Sequence, residues 1–301
     1  MQKVLILKRD ELPTDAGWLA TQPCPVIACG SGNGSLAAAD VLVADYRAAA
    51  ALEQRIQRFP IASMVLVQVL RSTEMLSWSQ ALDMESLAYS TLQAGPEFSA
   101  WRASRGEEGD MPVATGEPVL LRRNGAVVEA VLNRASSRNA ISVEMRDALV
   151  DMLQLLEADP SIEQVQLSAN GACFSVGGEL REFGTAPDPA TAHWVRSVQS
   201  PARLFAKWSP KITCRVHGAC IGSGIELPAF ASRLVAHPKS FFQLPELQLG
   251  LIPGAGGTVS IARRIGRQRT AWMVLSGKRV NASTALEWGL VDELLPVNHQ
   301  E

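Results

Sequence analysis

Two glutamates and two glycine turns are the residues of this sequence whose types and spacing can do chemistry. Glu226 follows the turn Ile221-Gly222-Ser223-Gly224. Glu246 follows Pro245, among Phe241, Phe242, Leu244 and Leu247. A Gly-Ser-Gly turn at the head of a helix leaves backbone N–H groups unpaired. Those groups, with the positive end of the helix dipole, can hold a developing negative oxygen. Glu226 then sits in the first helical turn, close to that oxygen. A carboxyl among apolar side chains has a raised pKa, so Glu246 can give as well as take a proton. A second glycine pair, Gly177-Gly178 in CFSVGGELREF (173–183), follows a strand-like run and offers further backbone N–H groups. Either turn alone reads equally well as plain structure. Together they describe a two-donor oxyanion hole.

The elements that position these groups are legible as patterns. Val119–Arg123 and Val127–Leu132 read as strands paired around Asn124-Gly125, a hairpin signal. Ser142 suits the N-cap of a helix to about Glu157, with Met145, Leu149, Met152 and Leu156 as its apolar stripe. Val165–Ser168, Ile212–Val216 and Arg233–Ala236 read as strands. Thr258–Ile265, Thr270–Leu275 and Ser283–Trp288 read as helices. Strands alternating with helices predict an α/β architecture.

Composition excludes several classes. A formal net charge of -2 on 301 residues gives no basic face for nucleic acid and no polybasic membrane patch. Five cysteines (24, 29, 173, 214 and 220) contain no Cys-x-x-Cys pair, which suits buried free thiols in a reducing compartment. The four histidines are scattered, so no zinc site is expected, and His217 reads as a strand-end histidine. No apolar run approaches the ~20 residues that span a bilayer. MQKVLILKRDE at the N-terminus is too short in its apolar part for a signal peptide and reads as a strand. A cytoplasmic location is the expectation.

LNRASSRNAIS (132–142), FSVGGEL (174–180), HGACIGSGIEL (217–227), FFQLPELQLGLIPGAGGT (241–258) and ASTALEWGLVDELLP (282–296) stand in an informative order. Over roughly 117–296 the chain resembles the enoyl-CoA hydratase/isomerase family, also called crotonases. The resemblance implies a crotonase-like spiral of ββα repeats, assembled as a homotrimer or homohexamer. It implies acyl-CoA thioester substrates, with coenzyme A as part of the substrate and no other cofactor. Glu226 and Glu246 match the two acid/base positions, and the N–H groups of Val176 and Ser223 match the oxyanion hole. Arg134, Arg138, Asn139, Ala140, Val176, Gly177, Gly178 and Glu179 match substrate and CoA contacts. Keeping both glutamates favours hydration of a 2,3 double bond. Double-bond isomerisation, thioester hydrolysis and a silent CoA-binding or assembly subunit are the alternatives. Four departures bear on substrate choice: Ser223 where Gly is usual, Glu179 where Asp is common, Phe-Gln-Leu-Pro-Glu for Phe-x-Gln-Pro-Glu, and Pro228 soon after Glu226.

Two domains are expected, an N-terminal α/β appendage over 1–111 and the crotonase-like domain over 112–301. The appendage reads as strands at Lys3–Lys8, Val26–Cys29 and within Ala37–Ala44, and as helices at Ala48–Arg58 and Ser79–Leu92. A polar linker follows over Arg102–Thr115. It echoes part of the second segment. PVIAC (25–29) resembles PKITC (210–214), ADVLVAD (39–45) resembles ASRLVAH (231–237), and Arg55–Leu66 resembles Arg264–Leu275. The interval between the first two is seven residues shorter in the first copy, which removes the oxyanion turn and its glutamate. The appendage is therefore expected to carry no active site. Ala81–Trp101 resembles the helices with which family members end, and its apolar stripe (Met84, Leu87, Ala88, Leu92, Phe98, Trp101) is expected to be buried.

Overall fold

The computed structural model describes residues 2–15, 17–106 and 115–296. The expected boundary between residues 111 and 112 lies outside them. Leu5–Lys8 (β1), Val26–Cys29 (β2) and Val41–Val43 (β3) form a parallel sheet in that order. β2 is buried along its whole length, as the central strand of a covered parallel sheet must be. The alanine-rich stretch before β3 is strand only over Val41–Val43, and Leu36–Ala38 winds as a short 3-10 turn. Asp40, buried beside β3, accepts the Val26 N–H at 2.8 Å and pairs with Arg71, so its charge is compensated.

Four helices follow: Tyr46–Arg58 (α1), Pro60–Thr73 (α2), Trp78–Gln93 (α3) and Pro96–Ser104 (α4). Pro60 stands where its ring stops α1 and its fixed φ starts α2. Ser77 and Gln80 cap the head of α3 reciprocally. The buried face of α3 differs from the expected apolar stripe. Met84 and Leu87 are 38% and 53% exposed, whereas Ala81, Leu82, Glu85, Ser86, Tyr89 and Leu92 are buried. The helix is turned so that its polar side chains meet donors on the second segment.

The second segment opens with the hairpin Val119–Asn124 (β4) and Val127–Leu132 (β5). Val143–Ala158 (α5) is capped by Ser142, whose Oγ accepts the Met145 N–H, and it buries the expected Met145, Leu149, Met152 and Leu156. Next come Gln164–Ala169 (β6), Pro189–Val198 (α6), Pro201–Trp208 (α7), Ile212–Val216 (β7) and Ala219–Ile221 (β8). The single turn Ser223–Glu226 (α8) precedes Arg233–Ala236 (β9), Phe241–Gln243 (β10) and Gly257–Ser276 (α9). Val280–Asn281 (β11), Ala282–Trp288 (α10) and Glu293–Leu294 (β12) complete the described chain. α9 runs through a kink at Gly266, which joins the two helices expected on either side.

A six-stranded sheet has the order β12-β9-β7-β6-β5-β4, parallel except for the β4–β5 hairpin. A smaller sheet has the order β11-β10-β8. In the units β7-β8-α8 and β9-β10-α9 the first strand joins the large sheet and the second joins the small one. One hydrophobic core spans both segments. Ile56, Leu66, Leu70 and Phe98 belong to the same cluster as Ile225, Phe230, Leu251 and Val274, with α1, α2 and α3 lying against α9. All five cysteines are free and buried. Among the described residues, no helix is long and apolar enough to cross a membrane.

Candidate active site

The two glycine turns are brought together by backbone pairing. Ser175 bridges to Cys220: its N–H donates to Ala219 O at 3.2 Å, and its carbonyl accepts the Ile221 N–H at 3.1 Å. This sets residues 176–178 beside the start of α8. At the N-cap, Gly222 has φ 52° and ψ -127°, and a Cβ there would stand 2.7 Å from Glu246 Oε1. Only glycine lets the turn form and the carboxyl approach. Among the described residues, the N–H groups of Gly178 and Ser223 make no hydrogen bond, and both residues line one cavity.

The Val176 expectation is corrected here. Its N–H donates to Arg138 O at 3.2 Å, and Val176 does not line the cavity. Arg138 adopts a left-handed conformation (φ 53°), and its carbonyl takes that amide. The unbonded donor is two residues later, at Gly178. Arg134 is corrected as well. Its guanidinium is spent on Glu144 and on the carbonyls of Gly116, Glu117 and Asn133. Asn139 is fully buried and braces the loop through Arg134 N, Asn170 O and Cys173 O. Arg138 has an exposed side chain with no hydrogen bond or ion pair among the described residues. Ala140 is buried, and it and Gly177 also stay off the cavity wall, whereas Gly178 and Glu179 lie on it.

The cavity holds about 510 Å3. Glu226 and Glu246 both reach it, 2% and 8% exposed. Glu226 Oε2 accepts the N–H groups of Ala255 (2.8 Å) and Gly257 (2.9 Å). A Cβ on Gly257 would meet Glu226 Cγ at 2.6 Å, so the IPGAGGT stretch serves close approach as well as turning. Among the described residues, Glu246 Oε2 is buried with no partner, and so is Ser223 Oγ. Burial, followed by the charges of Glu246 and Glu85, pushes Glu226 well above the usual carboxyl range. Burial raises Glu246 to about 8.

Sequence reasoning missed a third carboxyl. Glu85, on α3, is 2% exposed and lines the same cavity with Leu82, Ser86 and Tyr89. Its Oε1 accepts Gly256 N–H at 2.7 Å, and its Oε2 accepts Thr258 N–H at 2.9 Å and Thr258 Oγ1–H at 2.6 Å. Burial raises it to about 7, opposed by these donors and by the Arg196 charge. Arg196, on α6, also lines the cavity and donates to Ser86 Oγ and Gln93 Oε1. A carboxyl on a helix without a cation three or four residues away was the only signal in the sequence, and it is a weak one.

The sequence pattern of the enoyl-CoA hydratase/isomerase family matches residues 122–300. The chain belongs to the enoyl-CoA hydratase/isomerase family. It is 35% identical to the 2,3-dehydroadipyl-CoA hydratase of Escherichia coli over 178 residues, which cover 59% of this chain and 69% of that protein. It is 30% identical to the mitochondrial enoyl-CoA hydratase of Pongo abelii over 181 residues, 58% of this chain and 60% of that one. A crystal structure of enoyl-CoA hydratase from Bacillus anthracis superposes with a TM-score of 0.55 at 26% identity, covering 60% of this chain and 70% of that chain. The likeness thus lies in the second segment. In this crotonase, α3 of the first segment closes part of the cavity wall.

Proposed function

We propose that this crotonase adds water across the 2,3 double bond of an enoyl-CoA thioester. The observation that carries the reading is the meeting of two unbonded amides and two buried carboxyls in one cavity. The thioester oxygen sits between the N–H groups of Gly178 and Ser223. As water oxygen bonds to C3, the π electrons move onto C2 and the carbonyl, and the oxygen gains charge. Each amide is worth about 2.7–4 kcal/mol there on the scale of known oxyanion donors. The water gives one proton to a carboxylate, and C2 receives one from a carboxyl. Glu226 and Glu246 are both raised by burial and both turn an oxygen toward Gly222, so they hold these protons as a coupled pair. The cycle then closes with no net proton and no cofactor beyond the CoA of the substrate. Arg138, exposed and without a hydrogen bond or ion pair among the described residues, is the cation we assign to the CoA phosphates.

The test is incubation of the purified chain with crotonyl-CoA, read by mass spectrometry. A product heavier by one water supports hydration. A shifted double bond of unchanged mass, with no hydrated product, replaces the reading by isomerisation. Free CoA as the main product replaces it by hydrolysis.

A further inference from the structure

Glu85 lies outside the 122–300 region that matches the family, yet both its oxygens are engaged inside the catalytic loop. Glu226 takes the amides of Ala255 and Gly257, and Glu85 takes those of Gly256 and Thr258. Two carboxyls from different segments therefore hold alternate amides at the head of α9. All three donors to Glu85 favour its ionised form. On Glu226, two N–H donors fill Oε2, so a proton on this carboxyl must reside on Oε1. That oxygen lies on the Gly222 side of the carboxyl, where Glu246 Oε1 also stands.

We propose that Glu85 is a positioning residue for the reaction: it locks residues 255–258 around Glu226 and, in its ionised form, holds the proton of Glu226 on Oε1, facing the substrate. This rests on the hydratase reading. A rigid loop needs only the hydrogen bonds, whereas holding the proton also needs the charge. The groups facing Glu226 are Glu85 and Tyr89 from α3, Glu246 from the turn after β10, and Arg196 from α6 across Glu85. Glu85 and Glu246 are the negative charges among them. Removing the Glu85 charge leaves burial and the Glu246 charge to oppose ionisation of Glu226. Glu226 then loses its proton at lower pH.

The experiment compares full-length wild type, Glu85→Gln and Glu85→Asp. The pH profile of kcat is read for crotonyl-CoA hydration, and the protonated-carboxyl infrared band is read in protein labelled with 13C-glutamate. The expected result is a basic limb about one pH unit lower in Glu85→Gln, with a weaker band at neutral pH. Glu85→Asp, which keeps the charge, leaves the limb in place even if kcat falls. An unmoved limb and an unchanged band in Glu85→Gln overturn the proposal, because a mere brace lowers kcat without moving a titration. If wild type hydrates nothing, the hydratase reading fails and the infrared band alone decides the role of Glu85. If Glu85→Gln does not fold, wild type decides: absence of a protonated glutamate band at neutral pH overturns the proposal, and its presence at neutral pH with loss at higher pH supports it.

Discussion

Glu85 and Glu226 take alternate amides of residues 255–258, so one helix head anchors a carboxyl from each segment. The positive end of the α9 dipole is the reason two acids tolerate this closeness. With Glu246 also beside Gly222, three buried carboxyls share one cavity; burial raises all three, and the Glu85 charge raises both Glu226 and Glu246 further.

Substitution of either member of the proposed pair tests the acid–base step. Glu226→Gln and Glu246→Gln are each expected to lower kcat by about 10²-fold or more, the scale of general acid–base catalysis. Binding of a saturated acyl-CoA, measured by calorimetry, is expected to change little. Near-normal turnover in both variants rules out the pair.

The oxyanion donors are separable from the helix that presents one of them. Ser223 is the first residue of α8, a position where proline is tolerated because no intrahelical bond uses its N–H. Ser223→Pro is therefore expected to keep the fold and lower kcat by about 10²–10³-fold, the loss seen for one oxyanion donor. Ser223→Ala keeps the amide and removes a buried hydroxyl that has no partner among the described residues. It is expected to stabilise the protein by about 1 kcal/mol, read as a higher melting midpoint. A lower midpoint would mean that the hydroxyl is bonded in solution.

Much of the site was legible because its parts are local. Glu226 follows its own glycine turn and Glu246 follows its own proline, so spacing alone pointed to them. The errors are all long-range. The resemblance points to Val176, because nothing local says that the Arg138 carbonyl reaches back to take the Val176 amide. Arg134 was read as a ligand group because the carbonyls that consume it, at Gly116 and Glu117, come from an irregular stretch before β4. Glu85 does not stand out in the sequence, where Met84 and Leu87 read as part of an apolar stripe. Its partners are amides far along the chain, and they outweigh the burial of two apolar side chains.

The raised carboxyls also set how stability responds to pH. Folding raises Glu85 to about 7 and Glu246 to about 8, so the folded state binds more protons than the unfolded chain above the ordinary carboxyl range. Their contribution is present in full below that range and is lost as pH rises through the folded values. The melting midpoint is expected to fall between about pH 5 and pH 8, each group contributing up to about 1.4 kcal/mol per pH unit. Glu246→Gln, which cannot ionise, is expected to flatten this slope and to be the more stable protein at pH 8. A wild-type midpoint that rises across the window would show that these groups ionise freely in the folded state.

The last expectation concerns the dependence of the second segment on the first. Leu66, Leu70, Tyr89 and Phe98 are buried in the same core as Phe230, Leu251 and Val274, and Arg55 donates to Leu275 O at 2.8 Å across the boundary. Removing residues 1–106 strips apolar cover from α9 and leaves the amides of Gly256 and Thr258 without their acceptor. An 115–301 fragment is thus expected to be insoluble or molten, with low thermal cooperativity and strong dye binding. Supplying residues 1–106 in trans is expected to restore a cooperative melt, because the lost surfaces are non-covalent. A soluble 115–301 fragment with the full-length melting midpoint and normal acyl-CoA affinity would show that the first segment is dispensable to the fold, and the shared core would then have to be reassigned as a weak interface.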